Sequence, residues 1–315
     1  MASVLSADRQ VVSIDQYGPV GRSAWEDIDW RQHQRWVTVG GRRMNVIDIG
    51  PGPDSGPARG TIVWIHGLSG SWQNWLENLP VFAAAGWRCI AMDLPGFGAS
   101  EMPAERITIA GYAAAVDELL RRLGVTRAVV VGNSMGGFIG AEIAITFGTW
   151  VEKLVLVSAA GLTIASQRSL FWAVRPLGRA LAMGTGWLAS KSDDLARRPR
   201  TRKAIMSIVA AHPGRLPAAL VAEQLRGAGK PGFIGAFDAL TNYPLRDRLP
   251  SIAAPTLVVW GENDPLVPVR DAWTFGELIP NARVVVYADT GHVAMLERPA
   301  AFNALVAEFL ESASD

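Results

Sequence analysis

Val129-Val130-Val131-Gly132-Asn133-Ser134-Met135-Gly136-Gly137 decides how the rest of the chain is read. A β-branched run stops at Gly132, one serine follows, and glycines come straight after it. Residues 138–147 then read as a helix. A strand that turns sharply into a helix holds its turn residue in a strained backbone conformation and aims that side chain out of the sheet. Gly132 and Gly136 suit such an elbow, because a Cβ at either would collide with the neighbouring strand or helix. The helix N-terminus points backbone N–H groups at whatever sits on Ser134, which favours a developing negative charge. The same residues would also serve as a buried Gly/Ser turn, so the rest of the chain has to decide.

Upstream, residues 36–39 and 43–49 are strand-like runs around Gly40-Gly41, a hairpin pattern. Residues 61–65 and 87–92 are near-continuous apolar runs typical of strands covered on both faces. Residues 75–85 and 109–123 fit helices. Downstream, residues 151–157, 255–260 and 282–287 repeat the buried-strand pattern, and 300–310 fit a last helix. Strand and helix in alternation predict an α/β fold: a mostly parallel sheet flanked by helices and built with right-handed crossovers. Residues 1–35 are polar, with scattered Trp25 and Trp30, and read as an irregular arm against the body. Between 161 and 250 strand-like runs vanish, and helical patterns appear at 170–183, 203–211 and 216–225. This predicts a helical cap inserted between core segments 36–160 and 251–315.

Composition is that of an ordinary globule, 49% hydrophobic and 19% charged, and the net charge of +1 gives no reason to expect nucleic acid. The charges are unevenly placed. Of the 30 basic and 29 acidic residues, 14 and 5 fall in 161–250, leaving 16 and 24 elsewhere. A solvated basic face on an acidic body, an anionic substrate or a membrane surface would each account for this. The one cysteine, Cys89, excludes a disulfide framework and reads as a small core residue. No Cys/His cluster offers a metal site, and no cofactor is expected. The first twenty residues lack a basic start followed by an apolar block, and no apolar run reaches the roughly 18–20 residues of a membrane span. The expectation is a cytoplasmic protein whose partner is a small-molecule substrate.

In open parallel sheets, ligands and reactive groups gather at the carboxyl ends of the strands. Just past the strand-like runs stand Ser134, then Gly261-Glu262-Asn263-Asp264-Pro265, then Asp289-Thr290-Gly291-His292, with His66-Gly67-Leu68-Ser69-Gly70 after the run 61–65. The order is serine, acid, histidine. A serine hydroxyl becomes a good nucleophile only when a base takes its proton, and an imidazole that titrates near neutrality is such a base. An acid is needed to fix the imidazole tautomer, and Glu262, Asp264 and Asp289 all stand where one could.

Taken together, the elbow, the acid loop through Asp264, Gly291-His292 with Glu297 and Pro299 behind it, the His66-Gly67 loop and residues 93–100 resemble the α/β-hydrolase fold family in its capped form. The resemblance runs from about residue 36 to the last helix. It implies Ser134 as nucleophile, His292 as base and Asp264, before Pro265 and Val267-Pro268, as the acid. It also implies an oxyanion hole made by the backbone N–H groups of Leu68 and Met135. His66 is expected to be structural, Asp93 to staple a loop, and His33 and His212 to lie at the surface. Trp72, Phe138 and Val293 are candidates for an apolar pocket. Trp75 is another, and Phe97, Trp172 and Met183 are similar cases, with core packing the competing role for all of them. Serine at 134 counts against haloalkane dehalogenases and related epoxide hydrolases, which need a carboxylate there.

The activity this implies first is a carboxylesterase-type serine hydrolase, acting on small or medium, largely apolar esters through an acyl-enzyme on Ser134. The alternative is a carbon–carbon bond hydrolase of the meta-cleavage-product type, whose elbow Gly-Asn-Ser-Met-Gly-Gly resembles. His-Gly-Leu-Ser-Gly and Val293 depart from that group, which has a more glycine-rich loop and usually a tryptophan after the histidine. Cofactor-free perhydrolysis on the same triad, and a slow-turnover ligand receptor on the same fold, are further alternatives.

Overall fold

The computed structural model describes residues 8–52, 56–163, 191–241 and 243–312. The apolar runs marked in the sequence become strands of one nine-stranded sheet. In chain order these are β1 (Asp8–Val12), β2 (Gln34–Val39), β3 (Arg42–Ile49), β4 (Thr61–Ile65), β5 (Arg88–Met92), β6 (Ala128–Asn133), β7 (Val151–Val157), β8 (Thr256–Gly261) and β9 (Ala282–Tyr287). Their spatial order is β1-β9-β8-β7-β6-β4-β5-β3-β2. All pairings are parallel except those β3 makes with β5 and β2. Gly40 and Gly41 both take positive φ, 54° and 72°, as a two-residue hairpin turn requires.

Neighbouring residues of each central strand feed opposite cores. Val63 and Ile65 of β4, Val130 of β6 and Val258 of β8 join one cluster with helices α2 (Ile109–Arg122) and α3 (Met135–Thr146). Ile62 and Trp64, Val129 and Val131, and Leu257 and Val259 join the other, with α1 (Leu79–Ala84) and the last helix, Pro299–Glu311. Cys89 of β5 is fully buried, and burial pushes its thiol up to about 12. It is a packing residue.

Two expectations change. The arm is not irregular throughout: β1 adds in parallel to β9 at the sheet edge, with Val12 opposite Tyr287. Further on, Trp25 Nε1 and Ser23 Oγ both donate to Glu77, at 2.8 and 2.7 Å, and pin the arm to the body. The helix expected over 75–85 is split into a 3-10 turn (Trp72–Trp75) and α1. Pro80 has no N–H to give an earlier turn, so it sits in the first turn of α1.

Within 161–250 the described residues contain helices and no strand: α4 (Ser192–Arg197), α5 (Pro199–Met206), α6 (Ala218–Arg226) and α7 (Phe233–Leu240). The helix expected over 203–211 starts at Pro199 and ends at Met206 instead. Beyond it, Val209 and Ala211 spend backbone groups on the His292 loop. The one expected over 216–225 runs one residue further, after Pro217. The pattern at 170–183, with Trp172 and Met183, lies outside the described residues. The segment meets loops at the carboxyl ends of the strands. Gly232 N–H donates to Gly96 O past β5 at 2.9 Å, and Gln224 Nε2 donates to Gln73 O past β4 at 2.8 Å. The core resumes at β8, followed by α8 (Arg270–Leu278), β9, α9 (Ala294–Glu297) and α10 (Pro299–Glu311). No helix among the described residues is long and apolar enough to cross a membrane.

Candidate active site

From β4 the chain crosses to β5 on one side and then to β6 on the other, so a crevice opens at the carboxyl ends of β4 and β6. Ser134 stands there, between β6 and α3, with φ 55° and ψ −117°. This is a strained conformation for a residue with a Cβ. Three backbone bonds hold it: Ser134 N–H donates to Val157 O at 2.9 Å, and its own carbonyl accepts from Phe138 and Ala160 at 3.1 and 3.0 Å. The flanking glycines are steric necessities. A Cβ on Gly132 would lie 2.2 Å from Gly136 O, and one on Gly136 would lie 2.1 Å from Ile65 O.

The loop past β4 is laid directly against the serine. A Cβ on Gly67 would stand 3.1 Å from Ser134 Cβ, and Leu68 is the next residue of that loop. Met135 is the first residue of α3, so its N–H has no acceptor inside the helix. His66 carries that loop. Its Nε2 accepts from Leu94 N–H at 3.0 Å, so the ring proton sits on Nδ1, 2.7 Å from Gly67 O. Burial drives its pKa down, which suits this neutral form. Asp93 gathers N–H groups of Trp72, Ala99 and Asn45 at 2.8–2.9 Å and ties two loops together.

His292 and Asp264 meet with Nδ1 to Oδ2 at 2.8 Å, and their side chains are 4% and 0% exposed. A carboxylate only accepts, so Nδ1 carries the proton and Nε2 presents a lone pair. The other oxygen of Asp264 accepts from Leu266 and Val267 N–H at 2.8 and 2.9 Å, which fixes the carboxylate. Neither rival acid reaches His292 in this way. Glu262 is exposed, and Asp289 is taken up by His212 at 2.7 Å and Arg298 at 3.8 Å. His212 is therefore a half-exposed surface partner of Asp289, and His33 is half-buried.

The elbow and the histidine loop are joined by a residue that the sequence does not single out. Asn133 Nδ2 donates to Val157 O at 3.1 Å and to His292 O at 3.3 Å. Glu297, which the sequence marks behind His292 without assigning it a role, braces the histidine loop as well. Fully buried, it accepts from the N–H groups of Gly291 and Val293, on either side of His292, at 3.0 and 3.3 Å. Its place five residues after the histidine is the only local signal for this.

The pocket candidates scatter. Phe138 is fully buried and meets Tyr243 edge-on at 5.7 Å. Val293 is buried in the core shared with α9 and α10. Trp72 lines a cavity of about 320 Å³ with Trp30, Arg226 and Lys230, and its ring lies 4.9 Å from that of Trp30. Trp75 packs on Trp64 and Phe97 on His66, both fully buried.

Residues 60–299 match the family model of the α/β hydrolase fold. The chain is 30% identical to the dihydrolipoyllysine-residue acetyltransferase component of the acetoin cleaving system of Cupriavidus necator, over 88% of this chain and 68% of that one. It is 31% identical to 2-hydroxy-6-oxononadienedioate/2-hydroxy-6-oxononatrienedioate hydrolase 2 of Pseudomonas putida, over 85% and 92%. Among solved structures it resembles a bacterial membrane phospholipase A described as a virulence factor, with a TM-score of 0.69, 26% identity and coverage of 88% and 85%. The chain belongs to the α/β-hydrolase fold family.

Proposed function

We propose that the protein is a serine hydrolase in which Ser134, His292 and Asp264 form the catalytic triad. We further propose that it cleaves a carbon–carbon bond beside the ketone of a 2-hydroxy-6-oxo dienoate. The observation that carries the triad is the buried 2.8 Å contact of His292 Nδ1 with Asp264, on a loop tied through Asn133 to the elbow that holds Ser134 at positive φ. His292 Nε2 takes the Ser134 proton as Oγ adds to the carbonyl carbon. The oxyanion is held by the N–H groups of Leu68 and Met135, each worth about 3 kcal/mol in such sites. His292 then returns the proton to the leaving group, and water releases the acyl group from Ser134.

The choice of bond rests on relatives. At 27–31% identity over 82–88% of this chain, several are named as 2-hydroxy-6-oxononadienedioate hydrolases. This favours the carbon–carbon reading over the ester reading expected first. A carbon leaving group must delocalise its electron pair, which the dienoate permits once its 2-hydroxyl proton has moved to C5: the C5–C6 bond then breaks to a dienolate conjugated with the 2-ketone. The basic character of 161–250 would draw a dicarboxylate. Ester hydrolysis is the second reading. His-Gly-Leu-Ser-Gly and Val293, which depart from the carbon–carbon group, speak for it, as does the likeness to a phospholipase.

Bleaching of a coloured 2-hydroxy-6-oxo dienoate and release of p-nitrophenol from an ester panel separate the two, with Ser134→Ala as control. Loss of dienoate colour that the variant abolishes supports the first reading. Fast ester turnover with an intact dienoate moves the assignment to the ester. Tight binding of either without turnover would mark a receptor.

A further inference from the structure

Tyr17 lies outside residues 60–299, in the arm, yet its hydroxyl reaches the carboxylate that braces the histidine loop. It donates to Glu297 Oε2 at 2.6 Å and accepts from His212 N–H at 2.9 Å. Tyr17 is 7% exposed and Glu297 fully buried. Glu297 also takes the N–H of Ala211 at 2.8 Å, besides those of Gly291 and Val293. His292 N–H itself donates to Val209 O at 2.7 Å. Three stretches remote in sequence therefore close on one carboxylate: the arm, residues 209–212, and the loop bearing His292. The tyrosine ring is clasped by Arg298 and Arg215, whose guanidinium carbons lie 4.7 and 4.9 Å from its centre.

We infer that Tyr17 is a positioning residue for His292, acting through Glu297, and that the arm is thereby a working part of the active site. This rests on the triad reading given above. Gly291 and Val293 flank His292, so the angle at which Glu297 holds their N–H groups sets the backbone on which the imidazole rides. A buried carboxylate keeps one orientation only while its donors hold it. Without the phenol, Oε2 loses its shortest bond, His212 N–H loses its acceptor, and the carboxylate is held by the backbone donors of Ala211, Gly291 and Val293 alone, with more room to tilt. Misplacing a base by a fraction of an ångström lowers the rate of proton transfer without altering how substrate docks. The arm itself stays attached in Tyr17→Phe, because the β1–β9 pairing and the bonds to Glu77 do not involve residue 17.

The test compares wild type with Tyr17→Phe on p-nitrophenyl acetate and on the dienoate, each rate divided by the number of active sites. Sites are counted by stoichiometric p-nitrophenol release from a p-nitrophenyl phosphonate that labels the serine. The expected result is a kcat per site lower by about tenfold, with KM within about twofold and serine phosphonylation slowed by the same factor as kcat. Glu297→Gln is expected to lose at least as much, and the double variant no more than Glu297→Gln alone, as for two groups acting on one path. An unchanged kcat per site overturns the inference, whatever happens to yield or melting temperature, since a purely structural role only reduces the count of sites. Independent, additive losses in the double variant overturn it too. If wild type releases no p-nitrophenol from the phosphonate and Ser134→Ala turns over normally, the triad reading falls and takes this inference with it.

Discussion

Ser134 is held in place by its neighbours rather than by its own side chain, so replacing that side chain should change chemistry and little else. Ser134→Ala is expected to lower kcat by about 10⁴-fold or more, with a melting temperature at or above that of wild type because the strained backbone is unchanged. Asp264→Asn is expected to cost about 10⁴-fold as well, since an amide can present its N–H to Nδ1 and force the wrong tautomer. Both are read from initial rates and thermal melts. His66 leads to a stability prediction. Burial lowers its folded pKa, so above about pH 6.5 it is neutral in both states and adds no pH dependence. Below that value the unfolded chain binds a proton that the folded one refuses, and stability falls as pH falls. Urea midpoints between pH 7.5 and 5.5 should drop for wild type and drop less for His66→Gln. Ser134, His292 and the His66 loop were legible in the sequence because each is a chemically distinctive residue just past an apolar strand. The acid was less so: Glu262, Asp264 and Asp289 all follow strand ends, and only the turn that folds Leu266 and Val267 back onto Asp264 separates them. Asn133 and Glu297 stand inside the quoted motifs, but their roles, like that of Tyr17, are contacts with distant or backbone groups, which no local pattern reveals.

Among the elements, the central strands were readable because burial on both faces demands unbroken runs of Val, Ile and Leu. β1 escaped notice for the opposite reason. Arg9, Gln10 and Val11 are all exposed on an edge strand, so nothing selects an apolar alternation there. Helix boundaries after β7 were shifted where backbone groups are claimed by other loops, as at Val209 and Ala211. The crossing of β4 and α3 is the least forgiving contact between elements. In Gly136→Ala the new methyl would meet the Ile65 carbonyl, a backbone atom that cannot rotate away. A loss of about 3 kcal/mol or more is expected by urea titration. Gly148→Ala, where a Cβ meets nothing within 4 Å, is the matched control and should stay within about 0.5 kcal/mol.

For the whole molecule, charge is sorted: 161–250 is basic and the remainder acidic. If that field guides an anionic substrate, raising salt from 20 to 300 mM should lower kcat/KM for a dianionic dienoate several-fold while leaving a neutral p-nitrophenyl ester within error. Equal salt responses would make the basic face a solvated surface only. The pairing of β1 with β9 has a different consequence, one of timing. Residue 8 finds its partner at residue 283, so the arm cannot pair until β9 has been made. Until then the arm has no strand edge to pair with. Closing so long a loop is slow, and docking of the arm is expected to be the late step in refolding, appearing after the central strands are already protected from hydrogen exchange.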